Sequence, residues 1–257
     1  MPGISSPSRR EQSLLRALSN RAGRKKSGCC RCEGVRAVEE LLERRSDLVE
    51  FIVATRRGID TINRELPELR IVSDEEMAVF SDTLNSQGII AVARIPEEPD
   101  SFNGGDFILA LDQLGDPGNF GTVARTYRAI GGSELWYTKG SVDPWCDKAI
   151  RSGMGAQFSL NIRKFDNLQE LCDSASSRGY RNIFIADPHK GESCFNSPQL
   201  FDKSVIVIGG EANGVSMFPE NSKSVMIPMP GNYESLNAAQ AATVLLLEHV
   251  RRNTEYI

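Results

Sequence analysis

Residues 226–248, MIPMPGNYESLNAAQAATVLLLE, constrain this chain most: a strand breaks at a Pro-Gly turn and feeds directly into an apolar helix. Between residues 238 and 247 only Gln240 and Thr243 are polar. A helix apolar on nearly every side needs cover on several sides, so it belongs to a core or to a contact between subunits. Ser235 and Asn237 flank Leu236 at its start, and both can accept from the free N–H groups of a first helical turn.

A chain of 257 residues with 40% hydrophobic composition can bury a large core, and two modest domains fit its layout better than one. No run approaches the roughly 18 apolar residues of a membrane span. The polar, basic N-terminus lacks the apolar stretch of a secretory signal, so a soluble, cytoplasmic protein is expected. Cys29, Cys30 and Cys32 stand too close for an ordinary disulfide framework, and CCRC has no nearby histidine to complete a metal site. Reduced thiols and no bound metal are expected. The net charge is −4, yet residues 1–32 hold eight arginines and lysines against Glu11 alone. That asymmetry fits a basic, partly mobile arm that meets phosphates, with Arg24, Lys25 and Lys26 as its densest cluster. A solubilising tail is the competing reading.

From Glu33 onward the pattern tightens. Val38, Leu41 and Leu42 recur at helical spacing, and LVEFIVAT reads as a strand. A short helix near 59–65, a strand at 69–72, a helix at 74–81 and a strand at 88–94 complete a small α/β unit over residues 33–95. Two prolines, acids and glycines then mark a linker at 96–105.

Residues 106–257 form the second domain. Strands DFILALD, ELWYT, NIFIAD and VIVIGG alternate with helices near 120–130, 144–154 and 167–178, which predicts a parallel sheet covered on both faces. Ligands of such sheets sit beyond the carboxyl ends of the strands. Three strand ends carry unusual loops: LDQLGDPGNFGTVAR, VIGGEANGV and IPMPGNYESLN. GGEANG lacks the G-x-G-x-x-G order, which argues against a dinucleotide site.

Taken in order, these loops closely resemble motifs 1, 2 and 3 of the SpoU-type (TrmH family) RNA 2′-O-ribose methyltransferases of the SPOUT superfamily: DPGNFGTVARTYRAIG, VIGGEANGV and IPMPGNYESLNAAQA. The front half, with RKKSGCCRCEGVRAVEELL, is similar to the ribosomal-protein-like RNA-binding domain that often precedes that catalytic domain. Tyr127 stands where the family commonly has Ala, and Ala238-Ala239 where it has Val-Ser. The resemblance implies a parallel sheet with a C-terminal deep trefoil knot, bound S-adenosylmethionine and a homodimer.

It also implies roles for particular residues. Gly209, Gly210, Ile227, Met229 and Leu236 would line the cofactor site, Glu211, Ser235 and Asn237 would order it, and Arg125 with Asn119 would act at the reacting hydroxyl. Each polar residue has a plainer reading: Asn119 a turn or cap, Arg125 a solvated helix arginine, Glu211 a helix-end charge. His189 and His249 read as surface residues. The expected function is 2′-O-methylation of structured RNA, ribosomal rather than transfer RNA. Its rivals are a base methylase and a non-catalytic RNA-binding assembly factor.

Overall fold

The computed structural model describes residues 6–98, 101–211, 214–231 and 234–253. Its first helix is set by a capping box: Ser8 accepts from the Glu11 amide while the Glu11 carboxylate takes the Ser8 N–H. Helix α1 (Arg9–Ala17) is followed by α2 (Arg21–Ser27), capped by Asn20 and ended by Gly28 at φ 68°. Leu15 and Leu18 are fully buried against Phe51, Val53, Met77, Phe80, Ile90 and Val92. The segment expected as a partly mobile arm is thus built into its unit from Arg9 onward. The leucines form an inner face; Arg9, Arg10, Arg16, Arg21, Lys25 and Lys26 are exposed, whereas Arg24 and Arg31 are buried.

Strand β1 (Cys29–Glu33) is buried at all five positions and is followed by α3 (Val35–Arg45), β2 (Val49–Ala54), α4 (Arg56–Asp60), β3 (Leu69–Ile71), α5 (Asp74–Phe80) and β4 (Ile89–Arg94). The sheet order is β1-β4-β2-β3, with β4 antiparallel to both neighbours and β2 parallel to β3. Burial pushes the Cys30 and Cys32 thiols well above their ordinary pKa, so they stay protonated and inert.

The chain divides into two units, one of Met1–Glu97 with Asp143–Ser159, the other of Glu98–Val142 with Leu160–Ile257. The second opens with β5 (Phe107–Asp112), α6 (Pro117–Ala129) and β6 (Glu134–Thr138). The chain then returns to the first unit through α7 (Asp147–Gly153), shorter than the expected helix and stopped at Met154 with φ 50°. This excursion is tied down by charge. Arg24 pairs with Asp143 at 2.7 Å, Arg31 reaches both Asp147 and Asp82, and Ser159 donates to Glu40.

Back in the second unit come β7 (Asn161–Phe165), α8 (Leu168–Ser177), β8 (Asn182–Ala186), the two-residue β9 (Glu192–Ser193), β10 (Ser204–Gly209), β11 (Ser222–Met226) and α9 (Ala238–Asn253). All pairings in the seven-stranded sheet, ordered β7-β6-β5-β10-β8-β11-β9, are parallel. Alternate residues of β5 and β10 enter opposite cores: Leu109, Leu111, Ile206 and Ile208 pack with α6 and α9, whereas Ile108, Ala110, Val205 and Val207 pack with α8. The sheet is therefore covered on both faces, as its unbroken apolar strands require.

Ala238, Ala239, Ala242, Leu245 and Leu246 of α9 are buried, while Leu247 is 54% exposed. His249 is not a surface residue. Its ring stacks edge-on between Phe107 and Phe201, and burial lowers its pKa.

Candidate active site

Three strand ends meet in the second unit. Beyond β5, Asp116 caps α6 by accepting from the Asn119 N–H at 2.8 Å, and Pro117 fills the first turn, where no donor is needed. Beyond β10, the Gly210 and Gly214 backbones exchange hydrogen bonds of 3.0 and 2.9 Å. A Cβ on Gly210 would stand 2.5 Å from the Gln113 carbonyl oxygen, so glycine is what lets the second loop approach the first. Ahead of α9, Asn237 accepts from the Ala239 and Gln240 N–H groups and so caps that helix.

The side chains of these loops join at one carboxylate oxygen. Glu211 Oε1 accepts from Asn119 Nδ2 at 2.7 Å and from Asn237 Nδ2 at 2.5 Å, and Asn237 Nδ2 also approaches Asn119 Oδ1 at 3.1 Å. Below them, fully buried Asp112 accepts from Thr138 Oγ1 and from the Ser216 N–H, each at 2.5 Å, and fastens the first loop to the chain after the second.

A pocket of about 430 Å³ opens beside this junction, lined by the β8, β10 and β11 strand ends and the start of α9. Gly209, Gly210, Ile227, Met229 and Leu236 all line it, as do Glu211 and Ser235. Asn119 and Asn237 meet at Glu211 on its edge. Arg125 stands apart: it is exposed on α6, and its side chain makes no hydrogen bond or ion pair among the described residues. Asp187, Pro188, His189 and Glu234 also line the pocket and were missed. For the first three, the signal was the position of NIFIAD as a strand whose carboxyl end must point at the ligand. His189 is exposed, as expected of a surface residue, and also lines this wall.

In the first unit the basic cluster is split. Arg24 is 5% exposed, with its guanidinium taken by Asp143 and the Leu18 carbonyl, so it offers nothing to a phosphate; this corrects its expected role. Lys25 and Lys26 are exposed. Among the described residues no group of His, Cys, Asp and Glu is placed to hold a metal, and no helix is long and apolar enough to cross a membrane.

Comparison with known proteins agrees with this geometry. The chain is 26% identical to the human mitochondrial rRNA methyltransferase 3, over 95% of this chain and 72% of that one. It is 27% identical to a Bacillus subtilis 23S rRNA (guanosine-2′-O)-methyltransferase, over 91% and 93%. A solved structure described as a putative RNA methyltransferase of the TrmH family from Porphyromonas gingivalis superposes with a TM-score of 0.81 at 26% identity, covering 97% of this chain and all of that one. Residues 13–91 match an MRM3-like substrate binding domain. Residues 106–247, which hold all three joined loops and more than half of the chain, match the SpoU rRNA Methylase family, and the chain belongs to that family.

Proposed function

We propose that this RNA methyltransferase carries the methyl group of S-adenosylmethionine to the 2′-hydroxyl of a ribose in ribosomal RNA. The observation that carries the reading is the junction of three strand-end loops at Glu211, beside a pocket within the residues that match the methylase family.

The pocket suits the cofactor chemically. Asp187, Glu211 and Glu234 bring carboxylates to a wall that a sulfonium and an ammonium group would favour, and Ile208, Ile227 and Leu245 supply apolar cover. When bound, S-adenosylmethionine supplies an electrophilic methyl carbon. The chain must then align the acceptor oxygen in line and stabilise its developing charge. We assign that stabilisation to Arg125, which has no protein partner among the described residues to compete for its guanidinium. Arg125 is not the base, because a guanidinium stays protonated far above neutral pH. It holds the neighbouring phosphate and the nascent alkoxide while the proton leaves to phosphate or water. Glu211, Asn119 and Asn237 act as positioning residues that keep the three loops in register, with Ser235 beside them on the pocket wall.

Ribosomal rather than transfer RNA is supported by the names of the human and Bacillus relatives. The same proposal gives residues 33–95 the reading of RNA and 106–257 the chemistry. A trefoil knot belongs to the same proposal, supported by the match of residues 106–247 to the methylase family whose resemblance implies it. A homodimer is supported by the exposed Leu247, Phe218 and Phe195, which need cover. A cytoplasmic location is supported by six unpaired cysteines.

Labelled S-adenosylmethionine incubated with separate ribosomal and transfer RNA fractions tests the assignment. Label is expected in ribosomal RNA. Label confined to transfer RNA would overturn the substrate, and no label with cofactor binding intact would leave an assembly factor.

A further inference from the structure

A second cavity, of about 470 Å³, lies wholly within the first unit. It is lined by Glu33, Gly34, Arg36, Ala37, Thr83, Asn85, Gln87, Arg151 and Met154, and its size is within the range of small-molecule sites. Glu33 ends β1 and is 4% exposed. Its Oε1 accepts from three hydroxyls, those of Ser81, Thr83 and Ser86, which lock the carboxylate in place. Its Oε2 has, among the described residues, only Arg151 Nη1 at 3.5 Å. A buried carboxylate is costly in a strand whose other needs an apolar residue would meet. Here it is held rigidly with one oxygen underused.

The other linings define what could enter. Arg36 is exposed and reaches Met154 Sδ at 3.9 Å, and Arg151 is 36% exposed, so two guanidinium groups border the same space. A bare anion would meet Glu33, and a bare cation would meet the arginines. A neutral ligand with a donor edge and an acceptor edge satisfies both. Met154 and Ala37 give it apolar contact, and the neighbouring Leu84, fully exposed between the lining residues Thr83 and Asn85, offers a platform for a flat ring. Unpaired RNA bases are recognised in this way, by their edges and by stacking.

We propose that this cavity binds one unpaired guanine of the substrate RNA. Guanine alone sets two donors, N1–H and N2–H, side by side, so that both can converge on the underused Oε2 of Glu33, and two acceptors, O6 and N7, side by side for an arginine. Adenine, cytosine and uracil each place an acceptor next to the donor that would face Glu33. The inference rests on the reading that the enzyme acts on RNA, and it adds to it a base-reading site within the first unit, distinct from the methyl-transfer pocket.

Methionine methyl groups make the test direct. Met154 lines this cavity, Met229 lines the cofactor pocket, and Met77 is 2% exposed in the core of the first unit. In methyl-labelled full-length protein saturated with S-adenosylmethionine, guanosine 5′-monophosphate should shift Met154 and leave Met229 still. It should bind roughly tenfold more tightly than the adenosine, cytidine and uridine monophosphates. Glu33→Gln should abolish the preference while an unmoved Met77 reports intact folding, and Arg36→Ala, at an exposed position, should weaken binding of guanosine monophosphate. A Met154 signal unmoved by any nucleotide, or moved equally by all four, overturns the proposal. Guanine binding without methyl transfer would refute catalysis and leave this site standing; methyl transfer with Met154 unmoved would do the reverse.

Discussion

The candidate site of the catalytic unit and the fastening of the first unit handle polar groups in opposite ways. In the catalytic unit the functional polar side chains sit at strand ends near the surface: Glu211, Asn119 and Asn237 bond to one another while their helices are capped locally. In the first unit the charges that fasten distant segments lie inside. Arg31 is 3% exposed and Asp147 7%, and they join segments 116 residues apart. Surface junctions can be rearranged by a ligand at little cost to the fold, whereas buried ion pairs fail badly when one partner is removed. The first unit should therefore be rigid and fastened by charge, and the catalytic unit should have loops tuned for binding.

The largest expected effect follows from cutting the buried fastening. Arg31→Met leaves Asp147 buried and uncompensated and should cost about 3–5 kcal/mol. Thermal unfolding should show the loss, while calorimetry still finds S-adenosylmethionine bound by the catalytic unit. Loss of cofactor binding in step with the first unit would erase the contrast between the two. Next comes Arg125→Lys, which keeps the charge but not the planar fork. Turnover should fall about 100-fold with cofactor affinity unchanged, as for removal of a charge-stabilising donor. Near-full turnover would remove Arg125 from the chemistry.

Asn237→Ala should have a smaller effect, about 1–2 kcal/mol of stability from loss of the α9 cap. It should also weaken cofactor binding, since the same side chain holds Glu211. Denaturant titration with and without cofactor separates the two contributions.

Acid should then move the two units in opposite directions. Asp147 is pushed up to about 6 by burial, which outweighs its bonds to Arg31, against an ordinary value of 3.8. Between those values Asp147 holds more proton in the folded form than in the unfolded one, so it adds stability to the first unit as pH falls through about 6. Asp82, held below its ordinary value by its hydrogen bond with Asp147, loses its contribution only further down. Glu134 is also desolvated, but Arg163, Trp136 and Asn161 donate to it and hold its pKa below the ordinary value. The catalytic unit therefore loses stability as pH falls, first through the ordinary histidine range, where buried His249 resists the proton that the unfolded chain takes up, and then through the lower carboxylate range. Asp147→Asn should remove the first trend and leave the second, as followed by hydrogen exchange in each unit.

The smallest effect is electrostatic. Replacing both Lys25 and Lys26 with glutamine should lower the salt slope of RNA binding by about one for each phosphate no longer neutralised, without touching the fold. Deleting the whole basic segment is a poorer experiment, because it removes α1, α2 and most of β1.

What could be read in the sequence follows the same division. The catalytic loops are contiguous stretches whose residue types state their conformations: Asp-Pro-Gly-Asn opens a capped helix, and Gly-Gly permits a close approach. The parallel sheet was legible because strands such as FILAL and VIVIG are apolar without interruption. Strand β7 was missed because NIRKF carries charge, and only its place at the sheet edge and the burial of Arg163 against Glu134 explain it. Arg24, Lys25 and Lys26 look alike in sequence. That Arg24 is spent on Asp143, 119 residues away, is a tertiary fact with no local trace. The return of Asp143–Ser159 to the first unit was invisible for the same reason.

The central claim is chemical, and nucleoside analysis tests it most directly. Ribosomal RNA that lacks the modification would be treated with the protein and S-adenosylmethionine, digested to nucleosides and examined by mass spectrometry. The account predicts one new nucleoside whose added methyl stays with the sugar fragment. A methyl that stays with the base fragment would contradict it.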